Sequence, residues 1–435
     1  MDYKIMAARL SALVLVSAAM FGAESSAGEW PQWRGPNRDG VWHEKGIVQK
    51  FDSAQLQPRW RAKIANGYSG PTVANGRVYV TDRLTKPTRL ERVHCFDAMT
   101  GRPIWSYPYE CVYTNFDYRN GPRASVTIDD DRAYSLGSMA HLFCFNAADG
   151  DIIWSKDLYS QYKVRMPIWG IAASPLVEKD RLIVQVGGAD NACIIAFDKV
   201  TGREKWRALS DKASYSAPIV INQAGKPVLV CLTGERLVGL DPNSGQLHWE
   251  HPFPSMQSVA TPVFHNNYIF VSSFFDGSLL LRLHTDKLAV TPIWQRKGEN
   301  EKKTDALHCC ISTPLLWGDY IYGVDSYGEL RCLDLYTGSR IWESLDAVPK
   351  ARWANIHMVR NQDNVWMFNE RGELIISKLS PEGFREISRT KIINPTTGQL
   401  NKRGGVCWSH PAYAYRHVYI RNDEELFCLN LSAGD

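Results

Sequence analysis

Short apolar runs alternate with polar turns along most of this chain, and no long helical periodicity takes over. CFDAMTGRPIW, Cys95–Trp105, shows the rule: an alternating strand ends at Asp97, a turn holds Gly101, and a second strand runs to Trp105. Glycine supplies the positive φ of a tight hairpin, and the preceding Asp or Asn bonds the turn backbone. Each such segment is therefore a predicted β-hairpin. Equivalent segments begin at Cys144, Ala196, Gly239, Arg282, Cys332, Ser377 and Cys428, spaced 43 to 52 residues apart. The copy at Arg282 has a longer turn without glycine, and the copy at Ser377 lacks the tryptophan.

Two more strands precede the hairpins. In SGPTVANGRVYVTD (Ser69–Asp82) and STPLLWGDYIYGVDS (Ser312–Ser326), small residues with Pro open a short strand, and a polar turn leads to an apolar-aromatic one. Small residues suit a crowded place such as the narrow centre of a ring of sheets, and Pro is tolerated where a strand begins. Four antiparallel strands repeating at this period predict propeller blades. The expected fold is all-β, an eight-bladed β-propeller over residues 55–435. The last copy, CLNLSAGD (Cys428–Asp435), stops in its turn, whereas QLQPRWRAKI (Gln55–Ile64) has no hairpin partner and carries Trp60. The two are expected to share the eighth blade, with Trp60 as the missing tryptophan, so that the chain ends close the ring and few edges stay exposed.

Composition adds location and exclusions. Lys4 and Arg9 precede the apolar run Ser11–Ala23, and Ser25-Ser26-Ala27 fits a cleavage site, so residues 1–27 are expected to be a secretory signal peptide. Residues 28–54 are then an N-terminal extension, and the mature chain is placed in the periplasm or outside the cell. The apolar run is too short to span a bilayer comfortably, and no transmembrane segment is expected. No cysteine follows it, so lipid attachment is not indicated. A net charge of +4 over 435 residues gives no basis for nucleic-acid binding. Of the 10 cysteines, Cys95, Cys144, Cys332 and Cys428 share one repeat position and are expected to point into their own blades as small hydrophobes.

The repeat x-[FL]-[DN]-x-x-[TS]-G-x-x-x-W resembles the PQQ-type eight-bladed propellers, named for pyrroloquinoline quinone. The resemblance covers Gln55–Asp435. Two branches of that family imply different functions. The BamB-like group implies a non-catalytic binding or scaffold protein serving outer-membrane assembly, without a quinone. The quinoprotein dehydrogenases imply an enzyme acting on alcohols or sugars, with PQQ and calcium in the funnel and an adjacent-cysteine disulfide against the cofactor. The chain is similar to the BamB-like group in its size and plain blades. Its opening GEWPQWRGPNRDG, Gly28–Gly40, is similar to the start of secreted propellers without an established activity.

Candidate site residues follow from both branches. HCCISTP, His308–Pro314, places Cys309 and Cys310 at the start of an innermost strand. Under the dehydrogenase reading these two would flank the quinone, Trp169 or Trp408 would stack on it, and arginines would hold its carboxylates. Under the binding reading, alternating side chains leave two unbonded thiols on opposite sides of a strand. No calcium loop of D-x-D-x-D-G type and no H-E-x-x-H motif occurs, so no metal ligand and no catalytic residue is assigned. The loops between blades hold the most individual sequence. They carry Arg119, Arg123, Arg165, Trp169, Arg352, Trp353, Arg403 and Trp408. Arginine and aromatic residues dominate the energetics of interfaces and also stack on sugars and hold acids. These eight are the expected contact residues for a protein or polymer partner on one face of a monomeric propeller.

Overall fold

The computed structural model describes residues 28–255, 257–400 and 402–434; the signal-peptide reading of residues 1–27 lies outside them. Eight four-stranded antiparallel sheets form the eight blades of a propeller. Blades 1 to 7 use consecutive strands, with innermost strands Thr72–Ala74, Thr127–Asp129, Leu176–Glu178, Ile219–Gln223, Val263–His265, Leu315–Trp317 and Ile356–Asn361. Among the described residues helix is confined to one turn, Leu158–Gln161, capped by Asp157. No helix there is long and apolar enough to cross a membrane.

Blade 8 closes as the repeat pattern requires. Its inner strands are Ala412–Ala414, His417–Arg421 and Glu425–Asn430, and its outer strand is Trp60–Lys63 from the other end of the chain. Trp60 pairs with Cys428 and Lys63 with Glu425.

The repeated tryptophans bolt neighbouring blades together. The Trp60 indole Nε1 donates to the Ala98 carbonyl in the hairpin turn of blade 1, at 2.9 Å. Trp105 reaches Ala147 in blade 2 at 3.1 Å, and Trp154 reaches Lys199 in blade 3 at 3.3 Å. Trp206, Trp294 and Trp342 likewise bond Pro242, Leu335 and Ser380 of the next blade. Gly101 is needed twice over. Its φ is +70°, and a Cβ there would lie 2.5 Å from the Trp60 ring. The turn glycine thus both shapes the hairpin and opens the slot for the neighbour's indole.

Two departures from the repeat have structural answers. The blade 5 turn lacks glycine, and Trp249 instead donates to Gln223 Oε1 at 2.8 Å. Gln223 passes the contact on, donating to Ala289 in the blade 5 turn at 2.7 Å. Blade 7 has Ile387 where a tryptophan is missing. There the N-terminal extension takes over: Phe51 N–H bonds Ser388 Oγ at 2.8 Å, and Phe51 and Ile47 fill the apolar cluster against Trp366 and Leu431. All ten cysteines are buried free thiols, and Cys95, Cys144, Cys332 and Cys428 sit fully buried inside their blades.

Trp60→Ala is expected to destabilise the protein by about 3–5 kcal/mol, as for other buried aromatic truncations. Amides of Glu425–Asn430 should lose hydrogen-exchange protection more than those of blade 4. Urea unfolding with exchange mass spectrometry checks both, and equal loss in the two blades would argue against a latch.

Candidate functional site

The extension is also the floor of the central channel. Trp30 exchanges two backbone hydrogen bonds with Val73 of blade 1, and Pro31 accepts from Ile128 of blade 2. Arg38 is buried at φ +56° and donates to Pro218 O at 3.0 Å, to Pro175 O and to Gln32 Oε1 at 2.8 Å. Burial lowers its pKa to about 9. The Trp33 indole donates to Thr261 Oγ1 of blade 5 at 2.7 Å and meets the His410 ring of blade 8 edge-on at 4.4 Å. Gly40 and Trp42 tie to Arg360 of blade 7. One segment thus crosses the axis and bonds innermost strands on opposite sides of the ring. The channel is a blind funnel, not a tunnel.

The funnel encloses about 130 Å³ of space open to water-sized molecules, and about 920 Å³ once the open solvent at its mouth is counted. Ser174, Ala217, Val259, Cys310, Ile311, His357 and His410 form its walls above Trp33. Ser174, Ala217 and His410 each precede a proline at the start of an innermost strand, where the ring is narrowest. A histidine fits in this small-residue position because Gly70 faces it. A Cβ on Gly70 would lie 2.4 Å from the His410 ring.

Aromatic rings line the mouth: Tyr68, Tyr118, Trp169, Tyr215, Trp353 and Trp408. Trp169 stacks on Tyr215 at 4.9 Å. Tyr118 stands edge-on to both Trp169 and Trp353, at 6.1 Å and interplanar angles of 88° and 89°. Tyr118 and Trp353 hold these positions with φ of +54° and +64°. Bulky residues rarely adopt that region, and such strain gathers at functional sites.

Among the described residues, Arg123 is the one formally charged side chain on the lining. Its guanidinium donates to neutral acceptors: Gly121 O at 2.7 Å, Ser138 Oγ at 3.3 Å, Asp117 O at 3.2 Å, and Tyr118 O. It also lies 4.8 Å from the Tyr68 ring. The two histidines are neutral. His357 donates Nε2–H to Trp408 O at 2.7 Å, and burial lowers its pKa to about 4. His410 bonds the Pro411 carbonyl through Nδ1 at 3.2 Å, so Nε2 accepts from Ser125 Oγ at 2.7 Å. Burial lowers its pKa to about 3. This serine–histidine pair has the distance of a nucleophile and its base, but Ser125 is fully buried behind the funnel wall and the histidine is a very weak base.

The structure sorts the candidate residues. Arg123, Trp169, Trp353 and Trp408 converge on the funnel mouth. Arg352 lies 4.6 Å over the Trp353 ring at the rim. Arg403 makes paired hydrogen bonds to Glu370, which also accepts from the Trp408 indole, so its guanidinium serves the wall. Arg119 and Arg165 are exposed outside the lining, Arg119 bonded to Phe116 O and Arg165 to Ser210 O. The cysteine pair is split. Cys310 lines the funnel, its thiol pushed up to about 12 by burial, whereas Cys309 packs among Phe270, Leu280 and Leu333 between blades 5 and 6. Behind Cys309, burial raises Asp325 to about 7 despite Arg331 at 3.0 Å, but Asp325 does not reach the funnel. Among the described residues no group of three or more His, Cys, Asp or Glu side chains is placed to hold a metal.

Sequence reasoning did not single out Trp33, Tyr68, Tyr118, His357 or His410. One signal was present for His410: it breaks the small-residue rule of the x-Pro position.

Fold and site together define a PQQ-repeat propeller whose channel is floored by its own N-terminal segment and walled by aromatic rings. The family model described as "Outer membrane protein assembly factor BamB" matches residues 41–107 and 89–344, and the chain belongs to that family. It is 24% identical to the outer membrane protein assembly factor BamB of Moranella endobia over 62% of this chain and 66% of that one. It is 29% identical to the quinohemoprotein alcohol dehydrogenase of Comamonas testosteroni over 34% of this chain and 20% of that one. The chain thus spans about two thirds of the first relative and a fifth of the second. Among solved structures, BamB from Moraxella catarrhalis aligns with TM-score 0.59 at 16% identity, over 88% of this chain and 99% of that one. The Comamonas testosteroni dehydrogenase aligns with TM-score 0.65 at 12% identity, over 94% of this chain and 81% of that one. At such identities these likenesses show the shared fold.

The histidines give a pH prediction. Their folded pKa values lie below the ordinary value of about 6.5, so the unfolded chain takes up protons first as the pH falls. Their contribution to stability is complete above that value and is lost as the pH falls from about 6.5 to about 4 for His357 and to about 3 for His410, on the order of 1 kcal/mol per pH unit for each. Urea midpoints measured from pH 7.5 to 4.5 should fall more steeply for the wild type than for His410→Gln.

Proposed function

We propose that this protein is a secreted, non-catalytic binding propeller of the BamB-like kind, and that the funnel mouth is its working surface. The observation that carries the reading is the chemistry of the lining. Seven aromatic rings, Trp33 at the floor among them, and one guanidinium surround two neutral histidines and a protonated thiol, with no Asp or Glu among the lining residues described. That set can hold a ligand, but it offers neither an ionised base nor an activated nucleophile. Arg123, Trp169, Trp353 and Trp408 are the contact residues, with Arg352 at their rim. The partner is a protein or polymer met in the periplasm or outside the cell, and the chain acts as a monomer.

A second reading, a PQQ- and calcium-dependent dehydrogenase, draws support from Cys310 on the lining and from the dehydrogenase relative. The donor set fits calcium poorly. That ion takes six to eight oxygen ligands, several of them carboxylate, whereas the side-chain oxygens on this lining are the Ser174 hydroxyl and three phenols. Nor does the cysteine pair present both sulfurs to the funnel, because Cys309 is turned into the blade interface.

The test is a titration of the purified mature protein with PQQ, with and without calcium, followed by tryptophan fluorescence, together with a dye-linked dehydrogenase assay on alcohols and sugars. The expected result is no stoichiometric binding at tens of micromolar and no turnover. Calcium-dependent, stoichiometric binding with turnover would replace the first reading by the second.

A further inference from the structure

Within the reading of the funnel as a binding site, we propose that it takes an anionic pyranose, the acidic end or branch of a carboxylated or sulfated glycan. Three features of the mouth select this class.

The first is the orientation of the rings. Tyr118 is perpendicular to both Trp169 and Trp353, and one face of Trp169 is covered by Tyr215. A flat ligand stacked on Trp169 or Trp353 would leave the face of the perpendicular Tyr118 ring unused. A cage with perpendicular walls suits a body that presents C–H groups in several directions. Two common classes of ligand do so, quaternary ammonium groups and saturated sugar rings.

The second is charge, which decides between them. Arg123 faces only neutral acceptors and has no ion pair among the described residues. Lys402 Nζ stands 5.7 Å from the Trp353 ring and 5.8 Å from Tyr118, and the Arg352 guanidinium stands 4.6 Å from Trp353. The nearby carboxylate of Glu370 is taken up by Arg403 and the Trp408 indole. Glu301 lies 3.8 Å from Arg352, a loose contact that leaves Arg123 and Lys402 uncompensated. A cation is repelled by this mouth, and an anion is held by charge-assisted hydrogen bonds.

The third is strain. Tyr118 and Trp353 occupy left-handed backbone positions to present their rings. The sugar would lie against Trp353 and Tyr118, with its acidic group toward Arg123 and Lys402.

The experiment titrates the mature protein with a galacturonate trisaccharide, a sulfated galactose trisaccharide and neutral galactotriose, read by tryptophan fluorescence and calorimetry. The proposal expects one or both anionic sugars to bind at least about tenfold more tightly than the neutral one, as one charge-assisted contact provides. That preference should shrink as salt rises. Which anion binds better separates a carboxylated from a sulfated glycan. Lys402→Gln, an exposed position, should reduce the preference several-fold while leaving the urea midpoint unchanged. Trp353→Ala should weaken all binding. Equal affinity for the three sugars, or binding of none, overturns the proposal. The PQQ titration on the same preparation keeps the two failures apart: if neither sugar nor PQQ binds, only the sugar inference falls, and if PQQ binds with turnover, the binding-protein reading falls as well.

Discussion

The hydrogen bond from one blade's tryptophan to the next blade's turn is the contact on which this structure rests. A propeller blade is a four-stranded sheet that cannot bury both faces alone. Each indole covers part of the neighbour's edge and fixes the neighbour's turn at the same time. The ring is therefore a circular chain of joints, six of them the same tryptophan-to-turn bond, and it is only as sound as its closure. Trp60 makes that joint between the last blade and the first, in the same geometry as the others. Where the repeat lapses, the joint is rebuilt from different material. Gln223 relays the contact of Trp249 to the turn of blade 5, and Phe51 with Ile47 fills the place beside Ile387.

The ring has a narrow axis, and that narrowness shapes the site. Small residues before the strand-opening prolines keep the channel from collapsing, and the N-terminal segment then closes one end. Arg38 holds it there by donating to carbonyls that innermost strands turn toward the axis. A buried arginine is costly unless its hydrogen bonds are met. Here they are met by the Pro175 and Pro218 carbonyls and by Gln32 Oε1. A blind funnel excludes passage through the ring, so specificity falls to the open mouth. Its six rings, two of them on strained backbone, stand on six separate loops between blades.

The repeat made the fold legible. Turn glycines, terminal tryptophans and alternating strands state the blade, its number and its closure without any tertiary information, because each is a local demand of hairpin geometry. Half of the expected contact residues, Arg123, Trp169, Trp353 and Trp408, do meet at the funnel, since loops leaving equivalent strand ends must gather on one face. Arg403 looked equivalent to Arg123 in sequence, yet one is bound to a buried carboxylate and the other is not. That difference depends on Glu370, 33 residues away along the chain.

What the sequence determined by itself was the architecture: an all-β ring of eight blades latched by Trp60, dictated by short-range chemistry repeated eight times. What only the tertiary structure decided was the site. Trp33 comes to face His410 only when the extension crosses the axis, and Tyr118 meets Trp169 and Trp353 only when three loops from different blades converge. Contacts between residues hundreds of positions apart obey no local period. They are set by where closure of the ring places them.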